Sequence, residues 1–529
     1  MANVTFGEPR FKKPEVVVKK TGEIKDIIMF VAGTTDPINI TAHKHDANAG
    51  YWRDSQKNFW AKVKELKPQY LDLHIEDTFF SWSGDNNTSE RNLAADRLLD
   101  LFTRVYPGFK NKEIHLHLIG HSHGGNVINQ FTELITTDKR FPQLWEIKSI
   151  TYLSTPFFEK KHQLNHAKLH KKCKIINVHN EYDITQQFVA DFSLINLEIL
   201  IKKLNKGDFD KSLERIKETD FKPFEIIGDS GYWGKINETQ GHDLWRNTAI
   251  LLDGVGMLMN AIIKYINSIE TNKFKSEKAK FVGLFDRIHT WSVNAKTTII
   301  RNQTVRSGGY NRDAYFDDLN LLGILTLINE LLSIKTGMSD SYLLGVLETL
   351  FNENTGITES IEETSWTPKK QTKGLSIADL IITGNDKYTS RKKRANFDKF
   401  LSGMQAAQKN KNTKEILMRL FSQFITADQI QVIMDKINKL EYVVSGAKDV
   451  ELKLLRETNL KIYQDLVKKY NVDLVAKTDL NIEMAKRPGS VPYLATVSHS
   501  LSHTEYWLKV DEELKLAFSS GKNTGYKPK

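Results

Sequence analysis

The chain has 529 residues, a formal net charge of +10, 40% hydrophobic and 26% charged residues, a balance that excludes collagen-like and disordered classes and implies a sizeable core. Its length exceeds what one hydrophobic core usually organises, so a catalytic domain and a second mass of structure are expected. The single cysteine, Cys173, excludes an internal disulfide framework and a cysteine-rich zinc site.

Met1 to Lys20 mixes charges, prolines and single apolar residues. It contains no continuous apolar run of the kind a secretory signal needs, so the expected location is the cytoplasm of the producing cell. Residues 1–23 read as an arm. From Ile24 to Ile266, short β-branched runs alternate with helical patterns, the signature of an α/β domain with a parallel sheet wrapped by helices. Strands are expected at Ile27–Ala32, Tyr70–Ile75, Ile114–Ile119, Ile147–Ser154, Cys173–His179 and Pro223–Ile227, with helices at Ser55–Leu66 and Ser89–Tyr106.

Residues 267–520 read as a mainly helical cap or accessory domain, with helices at Leu319–Ile334, Tyr342–Phe351, Lys414–Phe424 and Ala427–Leu440. Leu319–Ile334 is broken by Asn320, Asn329 and Glu330 and falls short of the roughly 20 residues that span a bilayer, so a buried or interfacial helix is expected there. Asn352–Gly374 and Asn385–Arg394 read as surface loops, and Arg391 to Arg394 as a solvated run. Residues 521–529 read as a tail. The positive charge favours anionic surfaces in a general way; solvated lysines on helix faces account for it, and no nucleic-acid partner is expected.

The strongest chemical signal is Gly120-His121-Ser122-His123-Gly124-Gly125, a G-x-S-x-G match between the apolar run Ile114–Ile119 and a helical segment. Strand, sharp turn and helix form the context in which this motif presents a nucleophilic serine. Gly120 and Gly124 then stand where side chains would collide with the neighbouring strand and helix. Gly33-Thr34-Thr35 follows the first strand, so the backbone N–H groups of Thr34 and His123 are the expected oxyanion-hole donors.

An acid and a histidine should follow the serine, each after a later strand. Asp183 lies just beyond Ile175–His179 and is the expected acid, with Glu181 and Asp191 behind it and a helix N-cap as its plain structural alternative. His242 is the first choice of base; its rivals are His499 and His503 in the C-terminal segment Ser498–Trp507. The second choice would make the helical half an insertion ahead of the last catalytic loop. His43, His45, His115, His117 and His121 show no metal-ligand spacing with carboxylates. His115 and His117 would share one strand face, where packing or support of the turn suffices, and neither a metal nor a cofactor is expected.

Leu118 to Gly125 resembles the elbow of the serine-lipase branch of the α/β hydrolases, over roughly Ile24 to Ile266. Phe80-Ser81-Trp82-Ser83-Gly84, before a helix containing Arg91, and Tyr152-Leu153-Ser154-Thr155-Pro156 are similar to it as well. The resemblance implies hydrolysis of carboxylic esters through an acyl-enzyme on Ser122. A signal-less chain with a large helical appendage further resembles bacterial lipase effectors delivered by the type VI secretion apparatus. That likeness implies a phospholipid substrate, a membrane surface, and partners among spike or tube components and an immunity protein. The competing expectations are an esterase or thioesterase acting on soluble acyl compounds, and a non-catalytic scaffold of the same fold that binds a partner.

Overall fold

The structure, a computed structural model, describes residues 24–34, 52, 59–70, 72–76, 80–188, 206–223, 237–268, 275–305, 319–333, 344–345, 364–365, 367–389, 391–423, 425–432, 435, 450–479, 481–483 and 486–518. In chain order the elements are β1 (Asp26–Val31), α1 (Phe59–Lys64), β2 (Leu73–Ile75), α2 (Thr88–Val105), β3 (Ile114–His121), α3 (His123–Thr137), β4 (Trp145–Leu153), β5 (Phe157–Phe158), β6 (Leu169–His179) and α4 (Ile184–Gln187). There follow α5 (Lys206–Lys217), α6 (Glu238–Ser268), α7 (Lys275–Val305), α8 (Leu321–Leu332), β7 (Thr364–Ser365), β8 (Ser376–Ile381), α9 (Arg391–Lys409), α10 (Thr413–Phe421), α11 (Val450–Tyr470), α12 (Val491–Thr504) and α13 (Leu508–Ala517).

The chain divides into two units. The first comprises Met1–Ile195, Glu359–Ser402 and Asp473–Lys529, and the second Asn196–Thr358 and Gly403–Val472. This differs from the consecutive blocks 24–266 and 267–520 expected above, because the first unit takes up the chain again after each piece of the second.

The first unit is built on a six-stranded sheet of order β2-β1-β3-β4-β6-β8, parallel throughout. Parallel sheets bury both faces, and the alternation in β1 displays this: Ile27, Met29 and Val31 enter one core with Leu98 and Phe102 of α2 and Val127 and Phe131 of α3. Ile28 and Phe30 enter the other, with Phe59 and Val63 of α1 and Val510 and Leu514 of α13. Each such large aliphatic or aromatic side chain contributes roughly 1.5–3 kcal/mol by leaving water.

Five of the six strands fall where the sequence led one to expect them. Of the sixth, Pro223 lies in a helical turn and 224–227 fall outside the described residues; among the described strands β8 takes the edge position beside β6. In β8, Ser376 and Asp379 interrupt the apolar residues and Ile377 and Ile381 are exposed, so it lacks the continuous apolar run that marks an inner strand. The chain leaves β1 outward to β2, then returns to β3 on the other side of β1. In open α/β sheets the strand ends beside such a reversal form the natural crevice for a site.

Among its described residues the second unit contains helices and no strand. α6 and α7 form an antiparallel pair: His289 Nδ1 lies 2.9 Å from the Gly256 carbonyl and Ser292 packs against Gly256, while Lys296 and Arg215 of α5 both bind Asp253, at 2.5 and 3.0 Å. α8 joins them through an ion pair of Arg287 with Glu330, and Asn329 Nδ2 donates to the Leu452 carbonyl of α11 at 3.0 Å.

Candidate functional site

Ser122 sits between the last residue of β3 and the first of α3 with φ 50° and ψ −131°. A positive φ in a residue with a side chain is strained and persists only where its surroundings enforce it. Here they do. Ser122 N–H donates to the Leu153 carbonyl at 2.8 Å. A Cβ on Gly124 would lie 2.3 Å from the Val31 carbonyl oxygen, and one on Gly120 2.7 Å from the Gly125 nitrogen. Only glycine lets the first turn of α3 pack this closely on the end of β1. Ser122 itself is 3% exposed.

His123 opens α3, and first-turn N–H groups have no carbonyl four residues back to bind. Its ring stacks on Phe158, with centroids 5.7 Å apart, and its Nδ1 lies 3.1 Å from Asn126 Nδ2. Thr34 is buried just past β1, where Trp82 Nε1 donates to the Ala32 carbonyl at 2.8 Å. The tryptophan of the Phe80–Gly84 segment thus fixes the backbone leading to Thr34.

Asp183 follows β6 and is fully buried. Its Oδ1 accepts from the Gln186 N–H at 2.8 Å, capping α4, while its Oδ2 lies 2.7 Å from His499 Nδ1. The aspartate therefore serves both as an N-cap and as a partner for a histidine. Glu181, the second candidate acid, is taken by Arg394, which approaches to 2.7 Å and holds the carboxyl below its ordinary range. The Arg391 to Arg394 run is thus not merely solvated: Lys393 Nζ also donates to the Asp473 carbonyl at 3.0 Å. Asp191, His43 and His45 lie outside the described residues.

The histidine beside Asp183 is His499, not His242. His242 belongs to the second unit, in the first turns of α6, with its imidazole half-exposed and 3.8 Å from Glu238. That stretch is helix rather than a catalytic loop because Asn237 and Gln240 form a capping box: Gln240 N–H donates to Asn237 Oδ1 at 2.8 Å and Asn237 N–H to Gln240 Oε1 at 3.1 Å.

α12 carries His499 and is tied to the loop after β6 at several points. Thr185 Oγ1 donates to the Ala495 carbonyl at 2.7 Å and Asn180 Nδ2 to the Ser498 carbonyl at 3.1 Å. Asp386, which accepts from Asn180 at 2.7 Å, also accepts from Tyr493 Oη at 2.9 Å. None of these fastenings was anticipated from the sequence, since their partners lie more than a hundred residues apart.

His121, immediately before the serine, sits beside this helix. Its Nε2 lies 3.3 Å from the His499 carbonyl oxygen, and its ring centroid is 4.8 Å from that of His499 and 3.9 Å from that of His503. Burial, with the neighbouring His503 and His499, pushes the His121 pKa well down, so it is neutral. His503, the third candidate base, packs on His121 and, at 5.8 Å, on Trp52; among the hydrogen bonds above it is His499 that meets the acid.

The serine turn, the Asp183–His499 pair and the β1 end all lie at the carboxyl edge of the sheet. A carboxylate on Nδ1 fixes the imidazole tautomer and leaves Nε2 to take a proton, which is the arrangement a nucleophilic hydroxyl requires. No protein-family model, curated protein or solved structure matches the chain.

Proposed function

We propose that the chain is a serine hydrolase of the α/β-hydrolase fold that cleaves carboxylic esters of membrane lipids, with Ser122 as nucleophile, His499 as base and Asp183 as acid. The observation that carries this reading is the strained Ser122 on a strand-to-helix turn in a unit where a buried aspartate holds His499 by Nδ1. A scaffold used only for binding has no need of such strain.

In the proposed reaction His499 Nε2 accepts the Ser122 hydroxyl proton as Oγ attacks the ester carbonyl. The Thr34 and His123 N–H groups hold the oxyanion, a contribution of roughly 3 kcal/mol per donor. The imidazolium returns its proton to the departing alcohol, and a water deprotonated by His499 then frees the acid from the acyl-enzyme. Asp183 keeps the imidazole oriented throughout.

A lipid rather than a soluble ester is favoured by α6. Its 31 residues include an 18-residue window of mean hydropathy 1.6, a third of it buried and most of the rest half-buried; apolar side chains left partly open suit a bilayer interface better than water. Because Ser122 is enclosed, turnover on this reading includes an opening step. Delivery into a target cell, with secretion spike or tube components and an immunity protein as partners, is proposed on the sequence resemblance alone.

The test is incubation of wild-type protein and Ser122→Ala with mixed phospholipid vesicles, with products identified by mass spectrometry. Serine-dependent lysolipid and fatty acid are expected. Release from soluble short-chain esters with none from vesicles would replace the lipid substrate by a soluble acyl compound, and no hydrolysis of either would remove the enzymatic reading.

A further inference from the structure

At the opposite, amino-terminal edge of the same sheet, His115 of β3, Glu146 of β4 and His170 of β6 converge from three adjacent strands. One ligand atom from each lies within 4.8 Å of the others. His115 and Glu146 are directly opposite in the ladder, so the grouping is imposed by strand register and not by flexible loops. We propose that these three residues form a binding site for a divalent transition-metal ion of the Zn²⁺ class, remote from Ser122 and independent of its chemistry.

Two imidazoles and a carboxylate are a donor set suited to such ions. A fourth donor is at hand, since Glu113 Oε1 is 3.2 Å from His115 Nε2. Ligands about 2 Å from zinc stand roughly 3.4 Å from one another, so the group, whose atoms lie within 4.8 Å, has to contract by up to about 1.4 Å. The Glu113 and Glu146 side chains are largely exposed and can swing inward.

On its other side His115 faces a buried carboxylate at ion-pair rather than hydrogen-bond distance. Its Nδ1 faces buried Asp26 Oδ1 at 3.9 Å, and that oxygen also receives His117 Nε2 at 2.9 Å, while His117 Nδ1 meets Ser149 Oγ at 2.7 Å. A carboxylate behind an imidazole orients it and raises its basicity toward an ion on Nε2. This gives the fully buried Ser149–His117–Asp26 series, which is too enclosed for catalysis, a purpose at the sheet edge.

Two features oppose loading. Lys148 acts electrostatically on His115, against the carboxylates of Asp26, Glu113 and Glu146. His170 Nδ1 accepts the Lys172 N–H at 3.0 Å; ligation through Nε2 puts a proton on Nδ1, so that contact is exchanged for water around exposed Lys172.

The spacing in sequence conceals this set, because each ligand comes from a different strand. That is why no metal was expected from the histidine pattern.

Calorimetric titration of the full chain with Zn²⁺ tests the site, using His170→Asn and Glu146→Gln, whose side chains are partly exposed, and circular dichroism to verify that both fold. One ion per chain is expected, at micromolar affinity, weakened at least tenfold in each variant, with the melting temperature of the wild type raised by Zn²⁺. Absence of binding, or binding that both variants leave within tenfold of wild type, overturns the proposal.

Discussion

Ser122 is held at φ 50°, a conformation that costs a non-glycine residue about 1–3 kcal/mol. Ser122→Gly is therefore expected to abolish ester hydrolysis and yet stabilise the protein by about 1 kcal/mol in urea unfolding; a lower midpoint with unchanged denaturant slope would show that the turn is not strained. Asp183→Asn should reduce turnover by roughly 10⁴ through loss of imidazole orientation. His499→Ala should fall about as far as Ser122→Ala, and His242→Ala should remain within about twofold of wild type, which steady-state kinetics on one ester resolves. Ser122 and Asp183 stood out in the sequence because Ser122 directly follows an apolar strand and Asp183 lies in the loop just after another. His499 could not be chosen over His242, since it lies 316 residues beyond Asp183 and nothing local signals that contact.

His162 supplies a pH dependence. Its Nε2 accepts the Arg91 Nε–H at 3.0 Å, so the ring is neutral, and burial together with Arg91 and Lys161 pushes its pKa to about 3 from 6.5. Below pH 6.5 the unfolded chain takes up a proton there that the folded chain refuses. The stabilisation is complete above about pH 6.5 and is lost as pH falls toward 3, at about 1.4 kcal/mol per pH unit. Urea unfolding at pH 7 and pH 5 should differ by about 2 kcal/mol more in wild type than in His162→Gln; equal differences would contradict the burial of a neutral ring.

At the scale of elements, close approach and capping decide what the apolar pattern leaves open. Gly124→Ala forces a Cβ to within 2.3 Å of the Val31 carbonyl, a collision with backbone that cannot turn aside, and should cost at least about 2 kcal/mol. Asn237→Ala removes the cap of α6 and should cost about 1 kcal/mol with ester hydrolysis unchanged; a large loss of activity would return His242 to the chemistry. The Asn-x-x-Gln capping box before His242 marks a helix start in the sequence, and its contacts place His242 on a helix rather than in the catalytic loop expected there. β1 to β4 and β6 were legible because they carry apolar, largely β-branched runs, whereas the two-residue β5 was not expected. β8 escaped because Ser376 and Asp379 break its apolar residues into short pieces, so no continuous run marks it.

At the scale of the whole molecule, an α/β unit is interrupted by a helical one, with the residues of the proposed site all in the former. The α/β class was readable from strand and helix periodicity. The interruptions were not, since one helix reads much like another whichever unit it serves. If α6 meets lipid, Leu258→Glu on its partly exposed face should reduce hydrolysis of vesicle phospholipid at least tenfold and leave a soluble ester within about twofold. Equal losses on both substrates would point to a packing role. The enclosure of Ser122 further predicts faster reaction with a serine-directed phosphonate when vesicles are present.

That phosphonate gives the most direct measurement of the central claim. Wild-type protein, Ser122→Ala, His499→Ala and His242→Ala would be treated with a fluorophosphonate, and the adduct located by peptide mass spectrometry. The account predicts one adduct, on Ser122, absent in Ser122→Ala, slowed by orders of magnitude in His499→Ala and formed at the wild-type rate in His242→Ala. An adduct elsewhere, no adduct, or a His242→Ala rate as low as that of His499→Ala would contradict it.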